Sequence, residues 1–184
     1  GILLDFPPTA NNGMVVFYND VHAPPRPERS TRIAIKDGGI QTDGNVAVGN
    51  TCGFTGAGFN RVAIGSNTAN NSQFSDAIAI GTEAGALSQS ANAISIGYSA
   101  GMTTQQASSV AIGSFAAQSN QQTNSVAIGP SAGQTSQQTN SVAMGYLAGR
   151  IDQQAYSVAV GYAAGLNGQQ GQSVAMGYEA GQTN

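Results

Sequence analysis

The sequence predicts an all-β protein, a parallel β-solenoid of nine 16-residue coils preceded by a short N-terminal β cap. Three observations lead there. Gly49, Gly65, Gly81, Gly97, Gly113, Gly129, Gly145, Gly161 and Gly177 stand sixteen residues apart without a slip. Each closes a tetrapeptide that runs large, small, large, glycine, from Val46-Ala47-Val48-Gly49 to Val174-Ala175-Met176-Gly177. No stretch carries the apolar spacing of a helix, and glycine every few positions would penalise one throughout. A fixed period of this kind means an array in which every repeat stacks on a copy of itself.

Residues 1–45 do not repeat and are expected to cap the open edge of the stack, whose unpaired backbone would otherwise invite aggregation. Met14-Val15-Val16-Phe17-Tyr18 reads as a strand, and Pro24-Pro25-Arg26-Pro27 as an extended linker. Arg32-Ile33-Ala34-Ile35-Lys36 is a second strand, turned by Gly38 and Gly39. A ligand-binding tip is the functional alternative for this segment, with Phe6, Phe17 and Tyr18 more readily explained as cap core. Residues 46–184 form the array. Gly1 is not a methionine and Asn184 falls partway through coil nine, so the repeats are expected to continue in a longer chain.

One repeat, Ser141 to Tyr156, shows the design. Val142-Ala143-Met144 is a short strand with both large side chains on one face. Gly145 and Gly149 mark turns or close backbone approach. The second half is polar, centred on Gln153-Gln154, and forms a second short strand. Coils about 4.8 Å apart would make the nine-coil stack roughly 40 Å long. Equivalent residues then line up: Val and Ile in apolar columns, Gln105, Gln121, Gln137, Gln153 and Gln169 in one amide ladder, and Gln106, Gln122, Gln138, Gln154 and Gln170 in another. Ser109, Ser125, Ser141, Ser157 and Ser173 make a hydroxyl column. So slim a coil buries little apolar surface, and the small middle residue of each tetrapeptide suits a face that another strand approaches closely. A parallel homotrimer is the expectation.

Composition narrows function by exclusion. Only 8% of residues are charged and the net charge is −3. The one basic cluster, Arg26, Arg29, Arg32 and Lys36, is interrupted by Pro27 and Glu28, so no nucleic acid partner is expected. No apolar run reaches membrane-spanning length, so this segment is not expected to insert in a membrane. The single cysteine, Cys52, takes a position held elsewhere by alanine and reads as a small buried residue. His22, the one histidine, has no partner suggested by the sequence. Asp76, Glu83, Asp152 and Glu179 fall at different points of their coils and form no aligned pair for glycoside hydrolysis. No Cys, His or Asp spacing suits a metal, and Gly56-Ala57-Gly58 is only a weak echo of a phosphate loop. No catalytic residue, cofactor or metal is expected. A solenoid polysaccharide-active enzyme is a remote alternative that would need carboxylates clustered on adjacent coils.

The tetrapeptides, followed by Ala-Gly as in Ala132-Gly133 and Ala164-Gly165, resemble the YadA-like head repeat of trimeric autotransporter adhesins, here in a 16-residue variant. The likeness covers residues 46–184. It implies a left-handed parallel β-roll assembled as a trimer, with a role in attachment to host surfaces. The stretch Ala132-Gly133-Gln134-Thr135-Ser136-Gln137-Gln138-Thr139-Asn140-Ser141 is also similar to repeats in fibre-like proteins of large DNA viruses and phages. The favoured expectation is therefore a non-enzymatic trimeric fibre segment of a virion. The head of a bacterial adhesin, exposed at the cell surface and binding host matrix or glycan, is the rival. The identity of the receptor or glycan is left open. Tyr98, Tyr146, Tyr162 and Tyr178 each follow the repeat glycine and are the candidate surface-binding residues, because exposed aromatic rows bind sugars or proteins. Rings packed over a turn are the structural alternative. Ice binding would need regular threonine rows, and Thr123 and Thr139 are scattered instances.

Overall fold

A computed structural model describes residues 45–52 and 59–182. The chain divides into two units, 1–40 and 41–184. The cap strands, the basic cluster, His22 and Gly56-Ala57-Gly58 lie outside the described residues. The array is a parallel β-solenoid, and among the described residues there is no helix.

Each coil contributes one three-residue strand to a continuous wall. These strands are β1 (Val46–Val48), β2 (Val62–Ile64), β3 (Ile78–Ile80), β4 (Ile94–Ile96), β6 (Val110–Ile112), β8 (Val126–Ile128), β9 (Val142–Met144), β10 (Val158–Val160) and β11 (Val174–Met176). All nine pair in parallel in chain order. The register never slips: Val110 faces Val126, which faces Val142, which faces Val158. The opposite wall is thinner. It holds β5 (Thr103–Gln105) and β7 (Ser119–Gln121), extended by bridges between Gln73, Gln89 and Gln105 and from Ser119 through Thr135 and Ile151 to Asn167.

The interior reverses one expectation. The small middle residues Ala63, Ala79, Ser95, Ala111, Ala127, Ala143 and Ala159 are completely buried inside their own coils. The large residues on either side of them point out of the coil and are half-buried or exposed. The middle residue is therefore small because it lies opposite the other wall of the same coil, and no second chain is needed to explain it. Ala84, Ala100, Ala116, Ala132, Ala148 and Ala164 fill the space beside it.

Across from the alanines runs a column of buried glutamines. Gln73, Gln89, Gln105, Gln121, Gln137 and Gln153 are wholly buried and Gln169 nearly so. Each Nε2 donates to the Oε1 of the glutamine one coil later, at 2.9 to 3.2 Å through all six links. The same Nε2 donates its other proton to a strand carbonyl, as Gln121 does to Val110 O at 2.8 Å and Gln137 to Val126 O at 2.8 Å. Both protons of a buried amide are thus used, which is what makes its burial tolerable. Ser95, the one exception in the small column, joins the network by donating to Gln105 Oε1 at 2.6 Å. The ladder starts at Gln73, whose Oε1 is buried with no partner among the described residues.

Two glycine columns keep this stack tight. A Cβ on Gly113, at φ +127°, would sit 2.7 Å from the backbone carbonyl of Gly129 in the next coil. A Cβ on Gly133, at φ +53°, would sit 2.7 Å from Gln137 Oε1. The first column lets coils touch; the second, in which Ala69 and Ala117 replace glycine at the same left-handed φ of 46° and 45°, lies against the amides. The second column of glutamines does not form the expected ladder. Gln106 and Gln122 point outward, and their Oε1 atoms accept from Thr123 and Thr139 of the following coil, each at 3.0 Å. The serine column closes turns: Ser109, Ser125 and Ser141 donate to the carbonyls of Gln106, Gln122 and Gln138 at 2.5 Å. At the start of the array, Arg61 is buried where later coils carry Ala or Ser. Its Nη1 donates to Gln73 O at 2.8 Å and its Nε to Asn45 Oδ1 at 3.3 Å.

Adjacent glutamines therefore have opposite weight. Gln121→Leu strands a strand carbonyl and two neighbouring amides, and is expected to lower unfolding stability by about 2–4 kcal/mol. Gln122→Leu, on the outer face, is expected to change it by less than about 1 kcal/mol. Paired denaturant or thermal unfolding curves check the contrast, and equal effects would contradict it.

Candidate functional site

The four candidate tyrosines do not form one row. Ser114 and Pro130 occupy the position in the two coils between Tyr98 and Tyr146. Tyr98 instead meets Phe115 edge to face, with centroids 5.1 Å apart and planes at 87°. Tyr146, Tyr162 and Tyr178 form a continuous stack, with centroids 5.3 and 5.0 Å apart and planes 28° and 9° from parallel. The coil spacing sets this separation, so identical rings one coil apart fall at stacking distance. All four remain exposed, from 45% for Tyr162 to 74% for Tyr178. In the stack, Tyr162 has a ring against both faces, whereas Tyr146 and Tyr178 each stack on one face. The Glu179 carboxylate, through a hydrogen bond and then its charge, holds the Tyr178 phenol above its ordinary pKa.

Cys52 is partly buried against Ala63, Ala69, Ala79 and Ala84, and its Sγ donates to Gly49 O at 3.4 Å. Among the described residues, no group of three or more His, Cys, Asp or Glu side chains is placed to hold a metal ion. No helix among them is long and apolar enough to cross a membrane.

A polar trough that sequence reasoning did not single out runs along the thinner wall, with a volume of about 300 Å³. It is lined by two columns of the array, Thr104, Asn120, Ser136 and Asp152 in one and Gln106, Gln122 and Gln138 in the other. The first column is left-handed at all four of these positions, with φ of 51°, 57°, 57° and 52°. Short polar side chains tolerate that conformation by bonding locally. A left-handed residue in mid-wall bends the backbone, and repetition of the bend turns a flat face into a furrow. The signal in the sequence was the column of Thr, Asn, Ser and Asp just before the buried glutamines, which reads as ordinary loop polarity until the φ angles are known.

The chain matches no protein-family model, and comparison with curated proteins and with solved structures finds no match. The sixteen-residue coil and its side-chain columns are therefore the basis for any functional reading.

The stacked tyrosines are expected to contribute to coil-to-coil packing. Tyr162→Ala, which interrupts the stack in the middle, is expected to cost about 1 kcal/mol beyond the effect of Tyr98→Ala lost from its isolated pair. Unfolding of the two variants, compared with the parent chain, measures the difference.

Proposed function

We propose that this chain is a non-enzymatic segment of a trimeric attachment fibre, with the solenoid as a left-handed roll packed in parallel against two copies of itself. One observation carries the reading. The two outward columns of the main wall are aliphatic along the whole array: Val110, Val126, Val142 and Val158 in one, Ile96, Ile112, Ile128 and Met144 in the other. They are half-buried in the central coils and up to 67% exposed at Val174. A continuous aliphatic face of this kind marks an interaction surface. Its strict period suits a partner with the same period, and a parallel copy of the chain has one. Three copies follow from the resemblance of the tetrapeptide and Ala-Gly pattern to the YadA-like head repeat.

A stack with a fixed rise is suited to projecting and presenting surface groups. The repeat Ala132 to Ser141 favours a virion fibre as the setting. The same tetrapeptides are shared with bacterial adhesin heads, and a stalk and membrane anchor beyond the array would indicate that setting instead.

Sedimentation equilibrium of the parent chain is expected to give three times the chain mass. Val126→Asp combined with Ile128→Asp places charge on the aliphatic face without touching the coil interior, and is expected to give monomer that retains β circular dichroism. Beads coated with the trimer are expected to adhere to host-derived matrix or glycan surfaces, and beads coated with the variant to adhere far less. A monomeric parent chain would overturn the proposal.

A further inference from the structure

We propose that the trough on the thinner wall is a binding site for a neutral, linear polysaccharide lying along the solenoid axis. The site deepens the attachment reading by giving the fibre a ligand class, and rests on it only for the multivalency that three troughs would supply.

The donors are arranged before any ligand arrives. Thr123 and Thr139 each hold a glutamine of the trough by its Oε1, at 3.0 Å. Gln106 and Gln122 are thereby fixed one coil apart, and their Nε2 protons have no protein acceptor among the described residues. The hydroxyls of Thr104 and Ser136, the Asn120 amide and the Asp152 carboxylate line the same trough. Amide donors beside hydroxyls and a carboxylate match the alternating donors and acceptors of sugar hydroxyls. The columns repeat at about 4.8 Å, close to the advance of one sugar in an extended pyranose chain. Successive sugars would therefore meet equivalent groups.

Other ligand classes fit less well. The backbone of this wall is already spent between coils: Gln106 N donates to Gln121 O at 2.9 Å, Ser136 N to Ser119 O at 3.0 Å and Asp152 N to Thr135 O at 3.0 Å. A peptide strand has no ladder to join. The lining holds no cation, and its one charged group is the Asp152 carboxylate, which disfavours sulfated or uronic glycans. It holds no aliphatic or aromatic side chain for an apolar ligand. The mixed column of Thr, Asn, Ser and Asp is not the uniform threonine row that ice would need. The stacked tyrosines are not among the residues that line the trough, and the middle ring, Tyr162, has both faces against its neighbours.

Affinity electrophoresis of the full chain through gels containing amylose, xylan, mannan, β-glucan, alginate or heparin tests the site. At least one neutral polymer is expected to retard the parent chain, and the anionic polymers are not. Gln122→Ala removes a fixed donor and Ser136→Arg fills the trough; each is expected to weaken retardation by about tenfold. Thr82→Ala, on the exposed turn after β3 and not among the trough's lining residues, is expected to leave it unchanged. Circular dichroism confirms that each variant is folded, and sedimentation of the same samples reports the trimer separately. A folded parent chain retarded by no neutral polymer, by anionic polymers instead, or equally with and without Ser136→Arg overturns the site, whatever its oligomeric state. A monomer retarded through the trough supports the site and overturns the trimer.

Discussion

The buried amide column is the constraint from which the rest of this solenoid follows. A primary amide carries two protons and an acceptor, and inside a coil lined by alanine it must satisfy them without water. It does so only if the next coil presents an identical amide one rise away and the wall opposite presents a carbonyl. The first condition fixes the sixteen-residue register, because any slip would leave an acceptor unmet. The second fixes the width of the coil, since Nε2 must reach Val110 O or its equivalents at 2.8 Å. A coil that narrow admits nothing larger than alanine or serine across from the glutamine. Glycine is required where a Cβ would press on the next coil's backbone, and is the commoner residue beside the amide, where Ala69 and Ala117 hold the same left-handed position in two coils.

This constraint also decides what is left on the surface. Because the interior is filled by alanine and glutamine, the valines and isoleucines of each tetrapeptide are turned outward, and the molecule presents its most apolar side chains to whatever lies beside it. On the other wall, alternation about the buried glutamine turns Thr104 and Gln106 outward, and their equivalents make the polar trough. One periodic core therefore generates an aliphatic face and a hydrophilic face on opposite walls. The proposed trimer contact and the proposed polysaccharide site use different walls and do not compete for residues.

Much of the fold was legible in the sequence. The strands fall on the tetrapeptides, the register follows the glycines, and the Gln105 column stacks as its spacing required. The inside and outside of the main strand were not legible, because alternation of period two says that Val126 and Ala127 face opposite ways without saying which way is in. Ordinary sheets put the larger residue inside, and here the breadth of the buried amide reversed that preference. The outer glutamines were misread for a related reason. Gln106 and Gln105 have the same neighbours by spacing, but only the buried one lacks water and must bond to its own kind. Tyr98 and Tyr146 looked equivalent by position, and the identities of Ser114 and Pro130 between them decided that one pairs with Phe115 while the other begins a stack. The trough depended on left-handed backbone at Thr104, Asn120, Ser136 and Asp152, a conformation that residue type permits without announcing.

The most direct test of the amide column is hydrogen exchange of glutamine side-chain amides followed by NMR. Buried, doubly bonded Nε2 protons of Gln105, Gln121, Gln137 and Gln153 are expected to exchange only with opening of the stack, orders of magnitude more slowly than those of Gln106, Gln122 and Gln138. Equally fast exchange at both columns in the folded chain would show that the interior amides are not holding the coils together.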